Sequence, residues 1–117
     1  MTTIINVKVK NIRPAYNTLQ DWMENDKHEY IGRGGVVFIN GERFPKISSK
    51  WSNPYTVKQC GRDKCLELYE TFIREKIEKE GIDELKKLQN KVLGCWCKPE
   101  LCHGDVLIKI LNETITT

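Results

Sequence analysis

The chain has 117 residues, 39% of them hydrophobic and 30% charged, with 19 Lys and Arg against 16 Asp and Glu. That length suits one domain around one modest core, and no apolar run approaches the roughly 20 residues that a membrane-crossing helix needs. The net charge of +3, with cations mostly alternating with carboxylates, allows nucleic acid as a partner without indicating it.

From Met1 to Lys10, Ile5, Val7 and Val9 alternate with polar residues, which predicts a strand. The segment lacks the apolar block of a signal peptide, so a cytoplasmic protein is expected. Leu19, Trp22 and Met23 share one face within Pro14 to Asp26, predicting a short helix, and His28 to Arg33 reads as a short strand that gives way at Gly32. Val36 to Ile39, Asn40-Gly41 and Glu42 to Phe44 together read as a hairpin, because Asn-Gly tolerates the positive φ angles of a two-residue turn. Pro45 to Gly61 has no periodicity and is long for a connection, the kind of loop that often carries function or acts as a lid.

Beyond Arg62, Cys65, Leu66, Tyr69, Phe72, Ile73 and Ile77 follow helical spacing as far as Gly81, where a left-handed cap is expected. A further helix with Asp83 and Glu84 in its first turn buries Leu85 and Leu88 and leads to a buried strand over Val92 to Cys97. Asp105 is placed to cap a last helix with Val106, Leu107, Ile110 and Leu111 inward. The alternation of strands and helices over residues 1–117 predicts a single domain of small three-layer α/β fold. Its sheet is mainly parallel, with helices on both faces and an edge hairpin. Ligands collect beyond the carboxyl ends of such strands, where the Lys98 to Gly104 loop is expected.

Three of the five cysteines and one of the two histidines lie within Cys95-Trp-Cys-Lys-Pro-Glu-Leu-Cys-His103. Residues two apart on a strand face one side, so Cys95 and Cys97 project together, opposite to Trp96. Cys102 and His103 precede the last helix, whose positive end favours a thiolate or an anion, making Cys102 the expected most acidic thiol. Three chemical readings compete. Cys95, Cys97, Cys102 and His103 are suitable ligand types for zinc, the one cofactor the block suggests, although their spacing departs from Cys-x-x-Cys. Alternatively, Cys102 and His103 are catalytic, the thiol as nucleophile or both as substrate contacts. In the third reading the cysteines only pack, as Cys60 and Cys65 are expected to do.

A second cluster, Ser49-Lys-Trp-Ser-Asn-Pro-Tyr55, offers Trp51 and Tyr55 as ring faces, Lys50 with Arg33 as phosphate-binding charge and Asn53 as both donor and acceptor. Arg62, opening the long helix, is a further anion ligand or a solvated charge.

With Tyr30-Ile-Gly-Arg33, Ser49 to Tyr55, Arg62 with Tyr69, and Gly94-Cys-Trp-Cys-Lys-Pro-Glu-Leu-Cys-His-Gly-Asp-Val-Leu107, the chain resembles domain-of-unknown-function family four-three-two-six (DUF4326) of phages, large DNA viruses and bacteria. The resemblance implies that Arg33, Lys50, Trp51, Asn53, Pro54, Arg62, Cys95, Cys97, Pro99, Cys102 and His103 occupy its motif positions. It supplies no reaction. Ser52 departs from the glycine usual in the family's Trp-Gly-Asn-Pro, and the expected location is the cytoplasm, that of the host cell if the chain is viral. The reading that follows is a pocket where the two motif loops meet around a nucleotide-like small molecule. Arg33, Lys50 and Arg62 would neutralise phosphate, Trp51 would stack, and Asn53, Cys102 and His103 would hold or act on the ligand. The alternative is a zinc-stabilised module that binds nucleic acid or protein without catalysis.

Overall fold

The computed structural model describes residues 2–97, 100 and 102–115. In chain order its elements begin with β1 (Thr3–Asn6), α1 (Val9–Ile12), α2 (Leu19–Met23), β2 (His28–Tyr30), β3 (Val37–Ile39) and β4 (Glu42–Phe44). They continue with α3 (Val57–Cys60), α4 (Arg62–Glu80), α5 (Asp83–Lys86), β5 (Val92–Cys95) and α6 (His103–Ile115). Strands β1, β5 and β2 form a parallel sheet in that order, with Ile5 and Tyr30 both opposite Gly94, so the last strand in sequence takes the middle place.

Alternation along β5 divides the core. Leu93 and Cys95 join Tyr69 and Ile73 of α4, Leu85 of α5 and Leu107 and Leu111 of α6 on one face. Val92 and Trp96 pack on the other face with Val7, Ile12, Leu19 and Trp22, giving the expected three layers with helices on both sides. Gly94 makes this second contact possible: a Cβ there would lie 2.6 Å from the Trp22 ring and 2.7 Å from Val7. On the first face, Arg74 pairs with Glu70 and Glu113, both at 2.9 Å, and Lys109 with Glu70 at 3.2 Å, tying α4 to α6.

The N-terminal strand is shorter than its alternation predicts. Asn6 ends it by turning the chain: its side-chain oxygen accepts the Lys8 N–H at 2.9 Å and its amide donates to the Trp96 carbonyl at 3.2 Å, after which α1 forms. The next helix starts late within Pro14 to Asp26 because Thr18 caps it, accepting the Asp21 N–H at 3.1 Å. The hairpin is as read: Asn40 and Gly41 have φ of 54° and 81°. It forms a two-stranded sheet of its own, with Val37 and Phe44 against the second core face and Phe38 66% exposed. Among the described residues, no helix is long and apolar enough to cross a membrane.

Candidate ligand pocket

Because the three strands run parallel, their carboxyl ends lie at one edge, and the segments leaving β2 and β5 are fastened to each other there. The Trp96 indole N–H donates to the Tyr30 hydroxyl at 2.7 Å, and that hydroxyl donates to the Arg33 carbonyl at 2.7 Å. Gly32 lies between these partners, and a Cβ on it would come within 2.4 Å of the Tyr30 oxygen. Ile31 turns its side chain into the first core face, while its carbonyl accepts from His103 Nε2 at 2.7 Å. Tyr30-Ile-Gly-Arg33 is thus a backbone latch, each residue holding a different neighbour.

The cysteine block completes the latch. Cys102 opens α6, its backbone N–H donating to the Asp105 carboxylate at 2.9 Å while the Asp105 N–H donates back to the Cys102 carbonyl at 3.0 Å. Asp105 therefore caps from inside the first turn, as the acidic member of a capping box does, with Cys102 in the cap position. Gly104 lets the helix approach the sheet, since a Cβ would meet Ile4 at 2.8 Å and Ile31 at 2.9 Å.

The sulfur atoms of Cys102 and Cys95 are 3.5 Å apart, and both residues are buried. Hydrogen bonding with Cys95 and Cys97, followed by burial, raises the Cys102 thiol well above the ordinary cysteine value. This corrects the expectation that the helix end would make Cys102 the most acidic thiol: the desolvated sulfur cluster outweighs the dipole. Burial also lowers the His103 imidazole below its ordinary value, and the charge of Arg33 acts in the same direction. The imidazole is therefore neutral at pH 7. Its bond to a carbonyl, which only accepts, puts the proton on Nε2 and leaves Nδ1 as an acceptor.

On this edge lies a cavity of about 250 Å³. Arg33, Asn53, Arg62, Cys97, Cys102 and His103 line it, joined by Tyr55, Thr56, Cys65, Leu66, Trp96, Val36 and Gly32. The structure thus brings the cysteine block together with the second half of the Ser49 to Tyr55 loop. Arg33 joins the two, its guanidinium donating to the Asn53 carbonyl at 2.8 Å and the Tyr55 carbonyl at 3.1 Å. The Asn53 side-chain oxygen accepts the Tyr55 N–H at 2.9 Å, a local turn that carries the chain on to Tyr55 at the cavity wall.

Lys50 and Trp51 lie elsewhere. Lys50 pairs with Glu84, and the Trp51 ring is 3% exposed within the first core face, its carbonyl accepting from the buried Tyr69 hydroxyl at 2.6 Å. Local turn geometry separates the halves: the Trp51 N–H donates to Ser49 Oγ at 3.0 Å, and the chain reverses before Asn53. Pro99 and Lys98 fall outside the described residues. Among the described residues, no group of three or more His, Cys, Asp or Glu side chains is arranged to hold a metal ion. Of the expected zinc ligands Cys95, Cys97, Cys102 and His103, Cys102 lies against the other two sulfurs, while His103 Nε2 bonds the Ile31 carbonyl at 2.7 Å. Neither Leu66, read from the sequence only as part of the apolar helical face, nor Thr56 is expected at the pocket; Leu66 carries a readable signal, lying one helical turn beyond Arg62.

Residues 16–113 match a domain of unknown function, DUF4326. The chain belongs to that family. Within it, the chain is 32% identical over 89 residues to an uncharacterized protein of Acanthamoeba polyphaga mimivirus, an alignment covering 69% of this chain and 64% of the relative. It is 37% identical over 66 residues to the uncharacterized 12.4 kDa protein in the nrdA-td intergenic region of Enterobacteria phage T4, covering 54% and 60% respectively. The chain therefore spans less than two thirds of the length of each of these relatives. No solved structure matches.

Proposed function

We propose that this DUF4326 protein binds a small nucleotide-like ligand in the pocket at the carboxyl edge of its sheet. One observation carries the reading: two arginines, Arg33 and Arg62, and no carboxylate stand among the described lining residues, while Tyr55, Trp96, Val36 and Leu66 supply apolar and aromatic wall. Such a wall takes a planar ring, and the arginines take an anionic group. The openings of two helices, α4 at Arg62 and α6 at His103, add partial positive charge at the same place, although Asp105 uses one of the free N–H groups of α6. A cavity of about 250 Å³ lies just below the ~300 Å³ lower bound usual for ligand pockets, which suits a ring and one anionic group better than a dinucleotide.

In this reading Arg62 meets the anionic group directly. Arg33 shapes the wall through the Asn53 and Tyr55 carbonyls, and its positive charge remains uncancelled by any carboxylate bond among those described. Asn53 positions Tyr55. Cys102 and His103 form a neutral floor that holds the ligand, because a thiol raised in pKa is a poor nucleophile and the imidazole offers Nδ1 as acceptor. The donor arrangement among the described residues gives the zinc-module alternative no support. Titration with a nucleoside monophosphate, followed by amide NMR shifts, tests the proposal. Saturable shifts centred on Gly32, Tyr55, Cys97 and His103 are expected, and shifts scattered over the surface or absent at millimolar ligand would overturn it.

A further inference from the structure

Positive charge is unevenly spread along the chain. From Arg33 to Lys64 there are seven cationic against two acidic side chains, a net +5, whereas the whole chain carries +3, so the remainder is net negative. Two of the seven, Lys50 and Lys64, pair with Glu84 and Glu67 outside the segment, and Arg33 and Arg62 line the pocket. Arg33 lines the cavity with Val36, the residue before β3, and Phe38 within that strand is 66% exposed at the hairpin surface. The Arg43 guanidinium lies 4.8 Å from the Phe38 ring centre and donates to the Gly35 carbonyl at 3.1 Å, so it fixes the ring without losing its charge to a carboxylate. Lys46 and Lys58 are exposed and make no ion pair among the described residues, and Ile47 beside Lys46 is 80% exposed.

We infer that the pocket receives one nucleotide of a single-stranded nucleic acid, and that the neighbouring phosphates and a base lie along the hairpin on Arg43, Lys46 and Phe38. The inference rests on the pocket reading above and names its partner. An exposed ring braced by a cation beside unpaired lysines is the combination that grips single strands without reading sequence, whereas a duplex offers no free base to Phe38 or to the pocket. Free mononucleotides need none of the hairpin cations.

Fluorescence anisotropy with a labelled oligothymidylate of about twelve residues, beside calorimetry with thymidine monophosphate, tests this on the full chain. The oligomer is expected to bind at least about tenfold more tightly than the mononucleotide, with log affinity falling against log salt at a slope of about −2 to −3, as three or four phosphate contacts give. Phe38→Ala and Arg43→Ala, both at exposed positions, should each weaken the oligomer about five- to tenfold, Arg43→Ala also flattening the salt slope by about 0.7, with mononucleotide affinity unchanged. Equal affinity for oligomer and mononucleotide, or oligomer binding indifferent to both variants, would overturn the inference and leave the pocket reading standing. Absence of binding by both probes would overturn the two together, and preference for duplex over single strand would overturn the choice of partner.

Discussion

The pocket has two unlike walls. One, made by Cys97, Cys102 and His103, holds two groups kept neutral: contact with the neighbouring sulfurs and burial raise the Cys102 thiol, and burial lowers the His103 imidazole. The other, made by Arg33 and Arg62, lies at the mouth, where Arg33 is exposed and Arg62 half-buried. The difference follows from solvation. Side chains that can shed charge occupy the dry side, and guanidinium groups, which cannot, stay where water reaches them. The residues with the most reactive reputation in the sequence thus lie on the dry side of the cavity, and the cations on the wet side.

This contrast is broken most severely on the dry wall. His103→Ala should cost roughly 2 to 3 kcal/mol in urea unfolding, since it leaves the Ile31 carbonyl unpartnered and opens a void against Tyr69. Tyr30→Phe should cost about 1 kcal/mol, through loss of the hydroxyl that joins Trp96 to the Arg33 carbonyl. At the mouth, Arg62→Gln should change stability by less than about 0.5 kcal/mol, as expected of a surface substitution away from the core.

The pH dependence sharpens the comparison. His103 has a folded pKa below its ordinary 6.5, so above that pH both states are neutral and its contribution is fully present. As pH falls below about 6.5 the unfolded imidazole takes up a proton that the folded one refuses, and stability is lost down to the folded pKa. The urea midpoint should fall between about pH 7.5 and 5.5, and His103→Gln should show a shallower fall. Thiol accessibility gives the smallest effect to read. At pH 7 an alkylating reagent should modify half-buried Cys60 and Cys97 before buried Cys65, Cys95 and Cys102, and early reaction at Cys102 would contradict the neutral wall.

Much of the scaffold was legible because its signals are local. Asn40-Gly41 specifies a turn by its own backbone freedom, and the spacing of Val106, Leu107, Ile110 and Leu111 specifies a buried helical stripe, all four of which are buried. Alternation also placed Cys95 and Trp96 on opposite sheet faces. What resisted reading depends on partners far along the chain. Nothing near Lys50 announces Glu84, 34 residues away, and nothing near Ile31 announces that His103, 72 residues away, will take its carbonyl. The Ser49 to Tyr55 cluster looked like one unit, but a local turn sends Trp51 into the core and Asn53 with Tyr55 to the pocket. The acidity expected of Cys102 fails for a related reason: a helix end is visible in sequence, whereas the sulfur packed 3.5 Å away is not.

The direct test of a charged mouth over a neutral floor is calorimetric titration of wild-type protein and Arg62→Gln with a nucleoside and its monophosphate. The monophosphate should bind wild type at least about tenfold more tightly than the nucleoside, about 1.4 kcal/mol, and Arg62→Gln should erase most of that advantage while leaving nucleoside affinity unchanged. Equal affinity of wild type for the two ligands, or a phosphate preference that survives in Arg62→Gln, would contradict the account.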